Sequence, residues 1–188
     1  EDSSPLQYGA TQGFSPFLES LSGFLSRQPG YGISVDPRHL FLTAGASQGL
    51  DLACTLYAPA GSTVVVEEPT YFVIEKIFRD RNLNVVGVPT DSQGMLVAEL
   101  EKLLLEGLKP ALVYIIPTFQ NPTGLCLSHD RRAQLISLAN KFDFHILADE
   151  VYQLIYFDEL PPRPLISFDR GSRVISFGSF SKILAPGL

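Results

Sequence analysis

The sequence predicts an α/β fold: three layers, αβα, around a mostly parallel sheet. Three observations lead there. Short apolar or β-branched runs alternate along the chain with stretches of helical periodicity, the pattern of βα units. The runs are apolar at consecutive positions, as in Val64-Val65-Val66, which fits strands covered on both faces. The chain has 188 residues, long enough for one domain with a buried core and a short extension.

Taken in order, residues 1–32 read as a polar, loop-rich N-terminal segment. Within it Phe17, Leu18, Leu21, Phe24 and Leu25 recur at helical spacing, predicting a helix over 16–27. Residues 33–188 read as the main domain, incomplete at its C-terminal side. Strands are expected at 39–43, 63–66, 85–88, 112–116, 144–148 and 173–177, with His39 at the entry of the first. Helices are expected at 46–57, 71–81, 96–106 and 128–141. The chain opens at Glu1 without a Met and stops at Leu188 in an unfinished turn, so it reads as a slice of something longer.

Composition narrows the function classes. Fourteen basic against twenty acidic residues leave a net charge of −6, which argues against a nucleic-acid partner. Two cysteines, Cys54 and Cys126, make neither a disulfide framework nor a zinc cage. The longest apolar runs fall well short of the roughly 18 residues of a membrane span. The acidic N-terminus does not resemble a signal peptide. A cytoplasmic, reducing compartment is expected.

In an open parallel sheet ligands bind beyond the carboxyl ends of the strands, so the chemistry is sought there. Gly45-Ala46-Ser47-Gln48-Gly49 opens a helix. It reads as a phosphate cradle of free N–H groups, as a nucleophile elbow of the G-x-S-x-G type, or as a plain glycine turn. The elbow needs a later loop histidine, but His129 falls at a helix start and His145 inside a strand. Ser179-Phe180-Ser181-Lys182 matches S-x-x-K without its partner motifs, or supplies an amine nucleophile in Lys182, or is a solvated lysine. Asp149 ends a strand, ready to face a ligand or to cap a turn, and adjacent Asp149 and Glu150 diverge too much to chelate a metal. Asn121-Pro122-Thr123-Gly124 makes a rigid turn whose Asn amide can reach a ligand oxygen. Tyr71, in Glu68-Pro69-Thr70-Tyr71, can stack on a planar ligand or pack on the sheet. A phosphorylated aromatic aldehyde would use all of these groups together.

With Leu6-Gln7-Tyr8-Gly9 and Ala148-Asp149-Glu150-Val151-Tyr152 added, these motifs, in this order, resemble the class I/II aminotransferases, fold-type I enzymes of pyridoxal 5'-phosphate. The Tyr at position 71 is more similar to the branch of aminoadipate, kynurenine and other broad-specificity aminotransferases than to the aspartate branch. The resemblance implies transfer of an amino group from an amino acid to a 2-oxo acid. It makes Lys182 the Schiff-base lysine and proton shuttle, Asp149 the partner of the pyridine nitrogen, and Tyr71 the stacking ring. Asn121 and Tyr152 would bond the phenolic oxygen; Ala46, Ser47, Gln48 and Ser179 would hold the phosphate. Tyr8 would reach the phosphate of the neighbouring subunit in a homodimer. The family continues past this point with a phosphate-binding Arg and a small domain, so the isolated chain is expected to be inactive. Three other readings stay open: a β-lyase or synthase using the same cofactor, an effector domain of a transcription regulator, and a serine hydrolase acting through Ser47 or Ser179.

Overall fold

The computed structural model describes residues 8–186; Leu6, Gln7 and the final Gly187-Leu188 of the sequence motifs lie outside them. Helix α1 spans Ser15–Ser26, close to expectation. Pro16 in its first turn is tolerated because that position has no intrahelical N–H partner. The Ser22 hydroxyl donates to Val35 O, and the Phe17 ring meets Phe180 edge-on at 5.8 Å.

The run at 39–43 is the main departure. Pro37–His39 forms one 3₁₀ turn, capped by the Asp36 carboxylate accepting from Arg38 N, and residues 40–43 are extended but belong to no strand. His39 is therefore a turn residue. An apolar extended run becomes a strand only with a hydrogen-bonded neighbour. Here Leu42 N donates to Gln12 O, a loop carbonyl, and the sheet stops at another strand.

Helix α2 spans Ala46–Tyr57. Then follow β1 (Thr63–Glu68), α3 (Ile74–Asp80), β2 (Asn84–Asp91), β3 (Gly94–Met95), α4 (Val97–Leu105), β4 (Pro110–Ile115), α5 (His129–Phe142), β5 (His145–Asp149) and β6 (Val174–Phe177). Helix α3 starts later than expected because residues 71–73 form a turn, with Ile74 N donating to Tyr71 O. The two-residue β3 gave no periodic signal and pairs antiparallel to β2; all other pairings are parallel. Gly94 enters it at φ +87°, a conformation that glycine adopts freely.

The sheet order is β3-β2-β1-β4-β5-β6. Side-chain alternation sorts the strands between two apolar layers. Val64 and Val66 of β1, Leu112 and Tyr114 of β4 and Leu147 of β5 pack with Leu50, Ala53 and Cys54 of α2 and Ile74 and Phe78 of α3. Val65, Val113, Ile115, Ile146 and Ala148 face the other way, against Leu100 and Leu104 of α4 and Leu135 and Ala139 of α5. The three-layer expectation holds, and Cys54 is buried between α2 and the sheet. The chain leaves β1 in one direction through α3 and returns on its other side through α4 and α5, so the strand order reverses between β1 and β4. Beyond the carboxyl ends of those strands lies the crevice where such folds bind ligands.

Candidate active site

A cleft of about 260 Å³ opens at that crevice. Its walls include Ala46 and Ser47 at the start of α2, Tyr71 after β1, Asn121 after β4, Asp149 and Tyr152 at and beyond the end of β5, and Ser179 and Lys182 after β6. Residues drawn from five separate points of the sequence are thus brought to one place by strand order alone. Of the expected set, two stand apart. Tyr8 is fully exposed and does not line the cleft. Gln48 folds back so that its Oε1 accepts from Ala44 N at 2.5 Å, sealing the loop before α2.

That fold-back shapes the anion end of the cleft. Gly45 takes φ +78° as the N-cap of α2 and gives it no side-chain cap. The first N–H groups of a helix lack intrahelical partners and the dipole favours an anion there. Gly49, one turn on, lets the helix press on β6: a Cβ there would stand 3.0 Å from the Phe177 ring.

Asp149 is the centre of the site. It is the last residue of β5 and is 6% exposed. Its Oδ2 accepts from the Tyr114 hydroxyl at 2.8 Å, while Oδ1 is buried without a partner among the described residues. Burial pushes this carboxyl up from its ordinary value, and the Tyr114 hydroxyl, the Val151 N–H and the Lys182 charge pull the other way. An orphaned carboxylate oxygen costs free energy unless something donates to it. Glu150, next in sequence, turns away: Leu165 N donates to its Oε1 at 2.5 Å and the Ser176 hydroxyl donates to Oε2. The two carboxylates diverge as expected, and no metal-binding cluster occurs among the described residues.

Lys182 closes the 3₁₀ turn Phe180–Lys182, whose first N–H groups are met by the Ser179 hydroxyl oxygen accepting from Ser181 N. It is exposed rather than walled in, with its Nζ 5.9 Å from the centre of the Tyr152 ring.

Beneath the cleft runs a buried polar layer that the motifs did not reveal. Gln120 ties the two cofactor-side loops together: its Nε2 donates to Pro69 O at 2.8 Å and its Oε1 accepts from Thr123 N at 2.9 Å. The peptide bonds Glu68–Pro69 and Asn121–Pro122 in those loops are both cis. Arg132, fully buried on α5, donates to Leu127 O at 2.8 Å, Arg163 O at 2.9 Å, Thr118 Oγ1 at 2.9 Å and Pro117 O. It therefore holds both ends of the loop that carries Asn121. Glu67 accepts from Ile116 N at 2.9 Å, and burial pushes its carboxyl up to about 8. A charged residue at a position that periodicity assigns to the core was the one sequence signal for Glu67 and Arg132. Tyr114 had none, because a tyrosine inside an apolar strand reads as core.

The family model for "Aminotransferase class I and II" matches residues 1–187. The chain belongs to the class I and II aminotransferase family. It is 38% identical over 186 residues to the aromatic-amino-acid aminotransferase 1 of Thermococcus litoralis, covering 97% of this chain and 44% of that protein. Among solved structures it is similar to the Pyrococcus horikoshii kynurenine aminotransferase, crystallised with PMP, KYN and KYA. The TM-score there is 0.88 at 40% identity, over 97% of this chain and 45% of the other. It is also 32% identical to an uncharacterised HTH-type transcriptional regulator of Bacillus subtilis, over 96% of this chain and 37% of that protein. This aminotransferase-family chain thus spans under half the length of the relatives it matches.

Proposed function

We propose that the protein to which this chain belongs is a pyridoxal 5'-phosphate-dependent aminotransferase, moving an amino group from an amino acid to a 2-oxo acid. The observation that carries the reading is Asp149, whose buried Oδ1 makes no hydrogen bond of good geometry among the described residues, lining the same cleft as an uncapped helix start and a lysine. Those three features fit the three ends of this cofactor: a basic ring nitrogen, a phosphate and an aldehyde. Bound pyridoxal phosphate supplies an electron sink that acidifies the Cα–H of an amino acid.

The chain's own groups take the following parts. Asp149 Oδ1 accepts the hydrogen bond of a protonated ring nitrogen and keeps it protonated; each pKa unit of that preference corresponds to about 1.4 kcal/mol. Ala46 and Ser47 hold the phosphate through backbone N–H groups, with the Ser47 and Ser179 hydroxyls as added donors and Gln48 contributing through its backbone. Asn121 and Tyr152 orient the phenolic oxygen, and Tyr71 covers the ring face. Lys182 Nζ would hold the aldehyde as a nucleophile and, once free, would serve as the base that takes a proton from Cα and returns it. Residues 33–188 are the cofactor-binding domain in this reading, and 1–32 lie at its entrance. The assembly is a homodimer in the cytoplasm, with Tyr8 turned to the partner's phosphate. No helix among the described residues is long and apolar enough to cross a membrane.

The test is an amino-transfer assay on the full-length protein with pyridoxal phosphate, a panel of amino acids and 2-oxoglutarate. Formation of glutamate with loss of the donor, abolished by Lys182→Ala, supports the reading. Release of ammonia and a 2-oxo acid without transfer indicates a lyase instead. The likeness to an HTH-type regulator favours one second reading, a domain that senses an amino acid without turnover. Cofactor binding with no product of either kind, and a basic DNA-binding segment upstream of Glu1, would establish it.

A further inference from the structure

We propose that Tyr114 is a positioning residue for the cofactor's ring nitrogen: its hydroxyl holds Asp149 Oδ2 and so leaves Oδ1 as the single oxygen presented to the cleft. The proposal rests on the cofactor assignment above. Tyr114 lies on β4 with no exposed surface, beside Leu147 of β5 in the parallel ladder, two residues before Asp149. Its ring is locked edge-on against Phe78 of α3 at 5.9 Å and 73°, so the O–H has one direction to point. The donor meets Oδ2 at 2.8 Å. Oδ1 is equally buried and makes no hydrogen bond of good geometry among the described residues, with the Val151 N–H the other backbone group bearing on the carboxyl.

The asymmetry has a chemical consequence. A carboxylate without the Tyr114 bond could rotate and offer either oxygen, or take up a proton to escape burial. A charge-assisted O–H···O⁻ bond resists both. Tyr114 itself remains a donor, because burial and the neighbouring carboxylates push its hydroxyl far above its ordinary value. The other titratable groups bearing on the pair are Glu67, Tyr71, Glu150 and Lys182. Glu67 does not compete for the tyrosine proton: its own oxygen is met by Ile116 N.

The experiment uses the full-length protein as wild type, Tyr114→Phe, Asp149→Asn and the double variant. Tyr114→Phe keeps the ring packed on Phe78. Two probes are titrated: pyridoxal phosphate and its 1-deaza analogue, which has carbon in place of the ring nitrogen. Tyr114→Phe is expected to weaken pyridoxal phosphate about tenfold, from the strength of a hydrogen bond to a charged group. It should shift the pH profile of the bound cofactor's visible band in the same direction as Asp149→Asn. It should leave the deaza analogue unchanged, and it should add nothing in the Asp149→Asn background. Equal loss for both probes, or the same loss in the Asp149→Asn background, would show a packing role only and overturn the proposal. Unchanged binding in Tyr114→Phe, with Asp149→Asn weakened, would overturn it while leaving the cofactor assignment intact. Unchanged binding in Asp149→Asn would overturn both together.

Discussion

Replacing Arg132 by Met removes a fully buried cation from the polar layer under the cleft while keeping side-chain volume. Arg132 donates to Leu127 O, Arg163 O, Pro117 O and Thr118 Oγ1. Pro117 O keeps a second donor in Leu127 N, and the Thr118 hydroxyl keeps a partner by donating to Gln153 Oε1. Leu127 O and Arg163 O have no other partner among the described residues, and each orphaned acceptor costs about 1–3 kcal/mol. Glu67 and Glu150, whose carboxyls burial already pushes up, also lose the positive charge that pulls them down. Two orphaned carbonyls at about 2 kcal/mol each make about 4 kcal/mol the expected loss. Arg132→Lys keeps the charge but not the planar fork, and about half that loss is expected. Urea unfolding of the full-length protein at neutral pH measures both. Because the bonds span the loop bearing Asn121, the native Arg132→Met protein should also bind pyridoxal phosphate more weakly than wild type. A loss under about 1 kcal/mol for Arg132→Met would refute the reasoning, since it would mean that the carbonyls find water or that the charge is not needed.

Other perturbations follow the same logic. Glu67 has its carboxyl at about 8 in the fold against 4.5 ordinarily, so the native state holds a proton that the unfolded chain has released. Stability should therefore fall as pH rises from about 4.5 to about 8, and Glu67→Gln should remove that fall. Urea midpoints at pH 5 and pH 9 compare the two; equal slopes in both proteins would contradict it. Asp91 is held down to about 2 by Arg131, so this pair's contribution persists at neutral pH and fades as pH falls from 3.8 to about 2. Acid titration of Asp91→Asn should be flatter below pH 4 than that of wild type. Gly94→Ala would put a methyl 2.9 Å from the Leu127 backbone at φ +87°, and roughly 1–3 kcal/mol of stability should be lost in thermal or urea unfolding. Pyridoxal lacking the phosphate should bind much more weakly than pyridoxal phosphate, and Gly45→Ala, strained at φ +78°, should narrow that gap.

The strands and helices that could be read from the sequence were those whose partners lie within the chain. Val64-Val65-Val66 alternates between two apolar layers, so each residue announces burial on its own. Residues 39–43 carry the same apolar signal but have no adjacent strand, and a ladder is a property of two segments. The site residues at strand ends were legible because βα topology puts them together whatever lies between. The supporting groups were not. Tyr114 is indistinguishable in sequence from a core aromatic, and its role appears only when β4 and β5 are set in register. Gln48 commits its amide oxygen to Ala44 N, a local bond that fixes the side chain against the loop before α2 and that the residue type alone did not reveal. Lys182 lies on an exposed turn beside Tyr152 rather than in a closed apolar pocket.

The account's central claim is that Lys182 and Asp149 act on one pyridoxal phosphate in this cleft. The most direct measurement is the visible absorption spectrum of the full-length protein with pyridoxal phosphate, before and after borohydride, followed by peptide mass mapping. The account predicts a visible band that borohydride abolishes, a pyridoxyl mass on the peptide containing Lys182, and loss of both in Lys182→Ala. A band that persists in Lys182→Ala, or a label on a different lysine, would contradict it.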